Sequence, residues 1–263
     1  MGKNLSKQNL SPAEIEGKVA FAYFRDRISD WFETIGTNKA DAYSTFASAI
    51  AKPGDWFVSF NYDICLEKTL QQEGIWSLKD GYGFSIPGFH KSSETTLIKV
   101  HGSVNWTMPL RSGNPDRPVI TSEHCRMLGY ANHSDESIQE PFFGAGPLLA
   151  VPTSGKKFYI STSFGPRFED FWDHLWSLTR ERLLESDEVI ICGYSLPLAD
   201  RLAREIIFSS IDKNAKIEIV CGSSGLTIAQ EFQESGFTQV TVAQAGHFEE
   251  WVASNWSGER KHA

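Results

Sequence analysis

A chain of 263 residues can bury one large core, and 41% hydrophobic with 22% charged residues is ordinary for a soluble globular protein. The net charge of −8 argues against a general nucleic-acid binder, which needs a basic face. No apolar run approaches the roughly 18–20 residues of a membrane helix, and the stretch Met1-Gly2-Lys3-Asn4-Leu5-Ser6-Lys7 lacks a signal-peptide core, so a cytoplasmic protein without a membrane partner is expected.

Residues 1–52 read as an N-terminal helical segment. Ser11-Pro12-Ala13-Glu14 supplies a cap, a first-turn proline and an early acid, and Val19, Phe21, Tyr23, Phe24, Ile28, Trp31, Phe32 and Ile35 recur on a helical face. Gly36-Thr37-Asn38 breaks it, and 40–51 forms a second helix. Pro53-Gly54-Asp55 is a turn that opens a domain over 53–263. Its first strand is 56–60, followed by a helix over 63–72, a glycine-containing loop or small hairpin over 74–93, and a strand over 97–100. An excursion spans about 107–146, with a polar stretch over 109–141 and turn signals at Ser112-Gly113-Asn114-Pro115. A strand over 148–151 and an amphipathic helix over 168–184 follow.

The last third alternates strand and helix: strands over 188–192, 216–221 and 240–242, helices over 198–211, 227–234 and 248–256. Short apolar strands alternating with amphipathic helices predict an α/β fold, a Rossmann-like parallel sheet with helices on both faces, preceded by the N-terminal helices. Phe164, Phe168, Phe171, Trp172 and Trp176 have helical spacing in part and are expected in the core or on an oligomer face.

Cys65, Cys125, Cys192 and Cys221 form no C-x-x-C pair. Cys192 and Cys221 end apolar runs and are expected to fill core space. No disulfide is expected in a cytosolic chain, and no cysteine or histidine spacing fits a metal site. His90, His124, His133, His174, His247 and His262 are expected at the surface or in packing.

Three polar signatures each follow an apolar strand-like run: Ser59-Phe60-Asn61-Tyr62-Asp63, His101-Gly102-Ser103-Val104-Asn105-Trp106, and Gly193-Tyr194-Ser195-Leu196-Pro197 with Asp200 behind it. Strand ends in an α/β sheet border the ligand crevice. An Asn there can donate and accept without becoming charged. A His can take a proton near neutral pH. A glycine lets backbone N–H groups approach an anion at a helix start. Plainer roles exist for each: Asn61 in a turn, Asp63 as a helix cap, and Gly193-Tyr194-Ser195 as a turn closed by Pro197. Asp200 either caps a helix or faces a ligand, while Arg201 and Arg204 are expected on a solvated face.

In order, these signatures resemble the bacterial branch of the sirtuin-like, NAD-consuming family, whose pattern is [S/T]-x-N-Y-D, then H-G-S-x-N-W, then G-Y-S-L-P-x-x-D. The resemblance runs from about residue 56 to about residue 210. It implies that Asn61 orients the attacking water and that His101 acts on a ribose hydroxyl or on the nucleophile. It places Ser59 and Asp63 at the cofactor, Asp63 near the nicotinamide carboxamide. Gly193, Tyr194 and Ser195 would contact ribose and phosphate, and Gly222 and Ser223, in Cys221-Gly222-Ser223-Ser224-Gly225, would hold the adenosine side. NAD is then the substrate.

The resemblance implies hydrolysis of the nicotinamide–ribose bond, as in related bacterial antiviral effectors that deplete NAD, often within oligomers. Protein-deacylating members usually carry a four-cysteine zinc module. That spacing is absent here, so no zinc is expected and hydrolysis is favoured over NAD-dependent protein deacylation. The family also opens with a strand and a G-A-G-x-S loop that cradles the diphosphate. Gly2, Gly17 and Gly36 are isolated, so this chain is expected to lack that loop. A non-catalytic nucleotide- or partner-binding module is therefore the alternative, with a homo-oligomer or a partner protein as the associated expectation.

Overall fold

Strands of four or five residues, each carrying at least two apolar side chains, form the parallel ladders of this chain, and helices with one apolar face pack beside them. A computed structural model describes residues 27, 31–32, 40–84, 90–107, 119–120, 147–149, 167–244 and 246–255. Helix α1 (Ala40–Ala49) leads to strand β1 (Trp56–Ser59), helix α2 (Cys65–Gln72) and strand β2 (Thr96–Lys99). β1 and β2 pair in parallel with Ser59 opposite Lys99. After a long helix α3 (Arg167–Glu185), β6 (Glu188–Cys192), α4 (Arg201–Ser210), β7 (Lys216–Val220), α5 (Gly225–Glu234), β8 (Gln239–Val242) and α6 (Phe248–Asn255) follow in strict alternation. β6, β7 and β8 form a parallel sheet in that order. The chain is an α/β protein, as its patterning predicts.

The difference lies between these two parallel ladders. β3 (Gly102–Thr107) pairs antiparallel with β4 (Val119–Ile120) and β5 (Pro147–Leu149) in a separate three-stranded sheet. The His101-Gly102 signature was expected to end a strand; it also begins one. Gly102, at φ +84°, reverses the chain, and Ser103 to Trp106 are then all buried. The strand expected over 148–151 corresponds to β5, which is antiparallel. The remainder of the 107–146 excursion, Cys125, His124, His133, His262 and Phe164 lie outside the described residues, as do the side chains of Phe168 and Phe171. So does most of 1–39, where Arg27, Trp31 and Phe32 are helical. Phe32 packs edge-on against Tyr62 at 5.9 Å, while Trp31 is largely exposed.

Helix α4 shows how pattern becomes packing. Its buried residues Ala203, Ile206, Ile207 and Ser210 recur at i, i+3, i+4 and i+7. Ile207 joins β6, β7 and α5 in one core through Ile191, Ile217, Ile219 and Phe232. Each such fully buried side chain contributes about 1.5–3 kcal/mol. A second core gathers Leu97, Ile98, Trp76, Trp106, Leu175 and Ile206 under the β1–β2 ladder. Trp172 and Trp176 belong to it, as their spacing predicts.

Cys192 and Cys221 depart from expectation. Cys192 is exposed and Cys221 only half-buried. Cys192 shares one face of β6 with Glu188 and Ile190, and all three are exposed. β6 is the outer strand of its sheet, so an apolar run there does not guarantee cover on both faces.

Candidate functional site

The parallel register of β1 and β2 sends the residues after Ser59 and after Lys99 off the same end of the ladder. Val100 N–H donates to Ser59 O at 3.3 Å, and Val104 N–H to Tyr62 O at 2.9 Å. These bonds stitch the Asn61 loop to the chain on either side of His101. Phe60 meets the His101 ring edge-on at 5.3 Å, and Tyr62 lies 6.3 Å from it. The turn after β6 arrives at the same place: Tyr194 stacks on Phe60 with centroids 3.8 Å apart and planes within 5°. Three strand ends thus converge.

His101 is 5% exposed, and its Nε2 lies 3.1 Å from Oδ2 of Asp200, itself 2% exposed. The Tyr194 hydroxyl donates to the same carboxylate oxygen at 2.8 Å. Burial, and then the bond to Asp200, push the Tyr194 phenol well above its usual range. Burial does the same to Tyr62, helped by the charge of Asp200. Both phenols therefore keep their protons, and Tyr194 donates its own to Asp200. Helix α4 begins at Arg201 rather than three residues earlier, with Asp200 in the cap position. Its carboxylate makes no cap bond there; it turns inward to His101 and Tyr194 instead.

The Gly193–Asp200 turn is held rigidly. Gly193, at φ +68°, donates its N–H to Val220 O at 2.9 Å. Leu196, 2% exposed, sits at φ +49°, a costly conformation for a branched side chain. Arg204 explains how it persists. One guanidinium nitrogen donates to Leu196 O at 2.7 Å and another to Glu231 at 2.8 Å. Arg204 was expected on a solvated face; it is half-buried and clamps the turn. Arg201 is exposed, as expected.

The other predicted residues lie in the loops and turns that follow the strands. Asn61 is exposed, and its N–H donates to Ser59 Oγ at 3.2 Å. Asp63 Oδ1 accepts Cys65 N–H at 2.9 Å across the turn into α2, but the cap position of that helix falls to Ile64 rather than to Asp63 as expected. Burial and the adjacent Asp63 push the Cys65 thiol up to about 12, so it stays protonated. Ser195 is exposed beside Tyr194. Gly222 and Ser223 lie in a short 3-10 turn, and Gly222 N–H bonds Gly246 O. Cys221 Sγ approaches Tyr194 O at 3.4 Å, which sets that turn beside the β6 turn. His247 lies beside Gly222, where a Cβ would meet its ring at 3.3 Å, and His174 faces Gly83 O at 3.1 Å. Among the described residues no group of three His, Cys, Asp or Glu side chains is placed to hold a metal ion. No helix among them is long and apolar enough to cross a membrane.

Sequence reasoning named His101 but not the partner that orients it. The signal was present: Asp200 completes the third signature, and its spacing from Tyr194 lets one turn bring both to a single histidine. No protein-family model matches this chain, and no curated protein does either.

Proposed function

We propose that this chain is a sirtuin-like NAD-processing domain that hydrolyses the bond between nicotinamide and ribose. The observation that carries the reading is the buried His101–Asp200 pair at the meeting point of the three signature-bearing strand ends. A carboxylate beside an imidazole fixes its tautomer and stabilises the cation formed on proton uptake. With Nε2–H donating to Asp200, Nδ1 is the basic nitrogen.

The chemistry is a displacement through an oxocarbenium-like centre, as in other glycosyl transfers. The C–N bond to nicotinamide breaks, and its electron pair leaves with neutral nicotinamide. Water oxygen bonds the ribose carbon, and the water's proton passes to His101 and then to solvent. Asn61, exposed in the loop above, places the water; Asp63 receives the carboxamide; Ser59, Gly193, Tyr194, Ser195, Gly222 and Ser223 hold the rest of NAD. Depletion of a cytoplasmic NAD pool in antiviral defence is the role that this reading carries with it.

Incubating the purified chain with NAD and separating free nicotinamide by chromatography tests the proposal. Release by the native chain and its loss in both Asn61→Ala and His101→Ala support it. A folded chain that neither binds NAD nor releases nicotinamide ends it.

A second reading, a non-catalytic nucleotide- or partner-binding module, is favoured by the burial of His101 among the Phe60 and Trp176 rings. NAD binding without turnover, unchanged by Asn61→Ala, is its expected result. Release of nicotinamide only in the presence of an acetylated peptide points instead to protein deacylation.

A further inference from the structure

Lys99, the last residue of β2, is fully buried. Its ammonium lies 2.7 Å from Glu67 Oε1 on α2, with the two side chains 1% and 7% exposed. The same nitrogen donates to the main-chain carbonyl of Asp63. A buried ion pair is a weak device for stability, because desolvating two charges offsets their attraction. Burial drives the Glu67 carboxyl above its ordinary range, and Lys99 opposes that rise. The pair therefore calls for another account.

Its position supplies one. Lys99 is locked to Ser59 by the β1–β2 register, and His101 follows two residues on. Asp63 closes the loop that carries Asn61. An ammonium has three donors and no acceptor. One is directed to the loop carbonyl, and Glu67 holds the ammonium in line with it. We propose that Lys99 is a positioning residue: it ties the Asn61 loop to the strand that carries His101, fixing the two groups of the proposed hydrolysis relative to one another. This rests on the NAD-hydrolysis reading. Lys99 is buried beneath the loop and is assigned no contact with substrate.

The test compares the native chain with Glu67→Gln, with the pair Lys99→Met/Glu67→Gln, and with Lys99→Met/Glu67→Leu as a second neutral pair. Removing both charges avoids leaving a carboxylate buried alone. Hydrogen–deuterium exchange is followed at amides 61–65 and, as a fold control, at 216–220. In both double variants exchange at 61–65 should rise at least about tenfold with 216–220 unchanged. In kinetics, kcat should fall about 10²-fold while KM moves by less than about threefold, the signature of misplaced rather than missing groups. Glu67→Gln leaves the ammonium buried without a counter-charge but keeps an oxygen that accepts from it, so exchange at 61–65 should rise by less than in the double variants. Unchanged exchange at 61–65, or native kcat in a folded double variant, overturns the proposal. If the native chain releases no nicotinamide, the hydrolysis reading fails by itself, and the exchange data alone decide whether Lys99 holds the loop.

Discussion

His101 and Asp200, delivered by the turns after β2 and β6, face each other at 3.1 Å with both side chains buried. Asp200→Asn keeps the shape of this pair but removes its charge and permits the wrong tautomer. Nicotinamide release should fall about 10²–10⁴-fold, the range for disabling a general base, and His101→Ala should fall within the same range. Steady-state assays on folded variants measure both. An Asp200→Asn variant with native turnover would remove the pair from the mechanism.

Tyr194→Phe isolates the second bond to Asp200. The ring still stacks on Phe60, and only the hydroxyl at 2.8 Å is lost. A hydrogen bond to a charged group is worth about 1.5–3 kcal/mol, so thermal or denaturant unfolding should show destabilisation of that order. No measurable change would mean that water replaces the hydroxyl at no cost.

Asn61→Ala separates chemistry from folding. Asn61 is exposed, and the bond it makes to Ser59 is through its backbone N–H, which alanine retains. Stability should therefore change by about 0.5 kcal/mol or less, while nicotinamide release is lost. Unfolding curves and the release assay on the same preparation give both numbers.

How much of this was legible in sequence depends on the distance over which each feature is decided. The alternation after residue 185 is local: period-two apolar runs and 3.6-period helices identify β6 to α6 within a few residues. β3 was hidden because its buried run includes Ser103 and Asn105, which belong to a polar signature read as following a strand. Asn105 is accommodated by donating to Tyr82 Oη at 2.9 Å, a partner far back in the chain. Lys99 interrupts an apolar run, a visible anomaly, but nothing local ties it to Glu67. Cys192 was misjudged because strand hydrophobicity does not reveal which strand stands at a sheet's edge.

Acid sensitivity should concentrate at Asp80. Burial works to raise its carboxyl, but amide donors from Ser92, Ser77 and Ser93 and the Ser77 hydroxyl outweigh it and hold the group below the ordinary aspartate range. A carboxyl depressed in the folded state adds stability that is complete above the unfolded range. That stability is lost as pH falls from about 5 through the lower folded value. The bonds close the 77–93 loop, with Ser77 N–H at 2.7 Å and Ser92 N–H at 2.6 Å. Asp80→Asn should therefore be less stable than native at neutral pH, and the difference should shrink on acidification. Melting curves across that window check it; a gap independent of pH would refute the charge-based account.

Gly193 tests whether the β6 turn touches ligand. It adopts φ +68°, and a Cβ built there meets no protein atom within 4 Å. Gly193→Ala should therefore cost only the left-handed strain of a non-glycine residue, about 1–2 kcal/mol. For a chain of this size that lowers the melting temperature by roughly 2–8 °C. If the turn's backbone must approach a phosphate, the added methyl occupies that approach, and NAD affinity should fall by at least about tenfold, or 1.4 kcal/mol. Calorimetric titration with NAD, set beside the melting curve, separates the two effects. Loss of affinity beyond the stability change places Gly193 at the ligand. Native affinity in a mildly destabilised variant would leave it as a turn glycine that only shapes the route from β6 to Asp200.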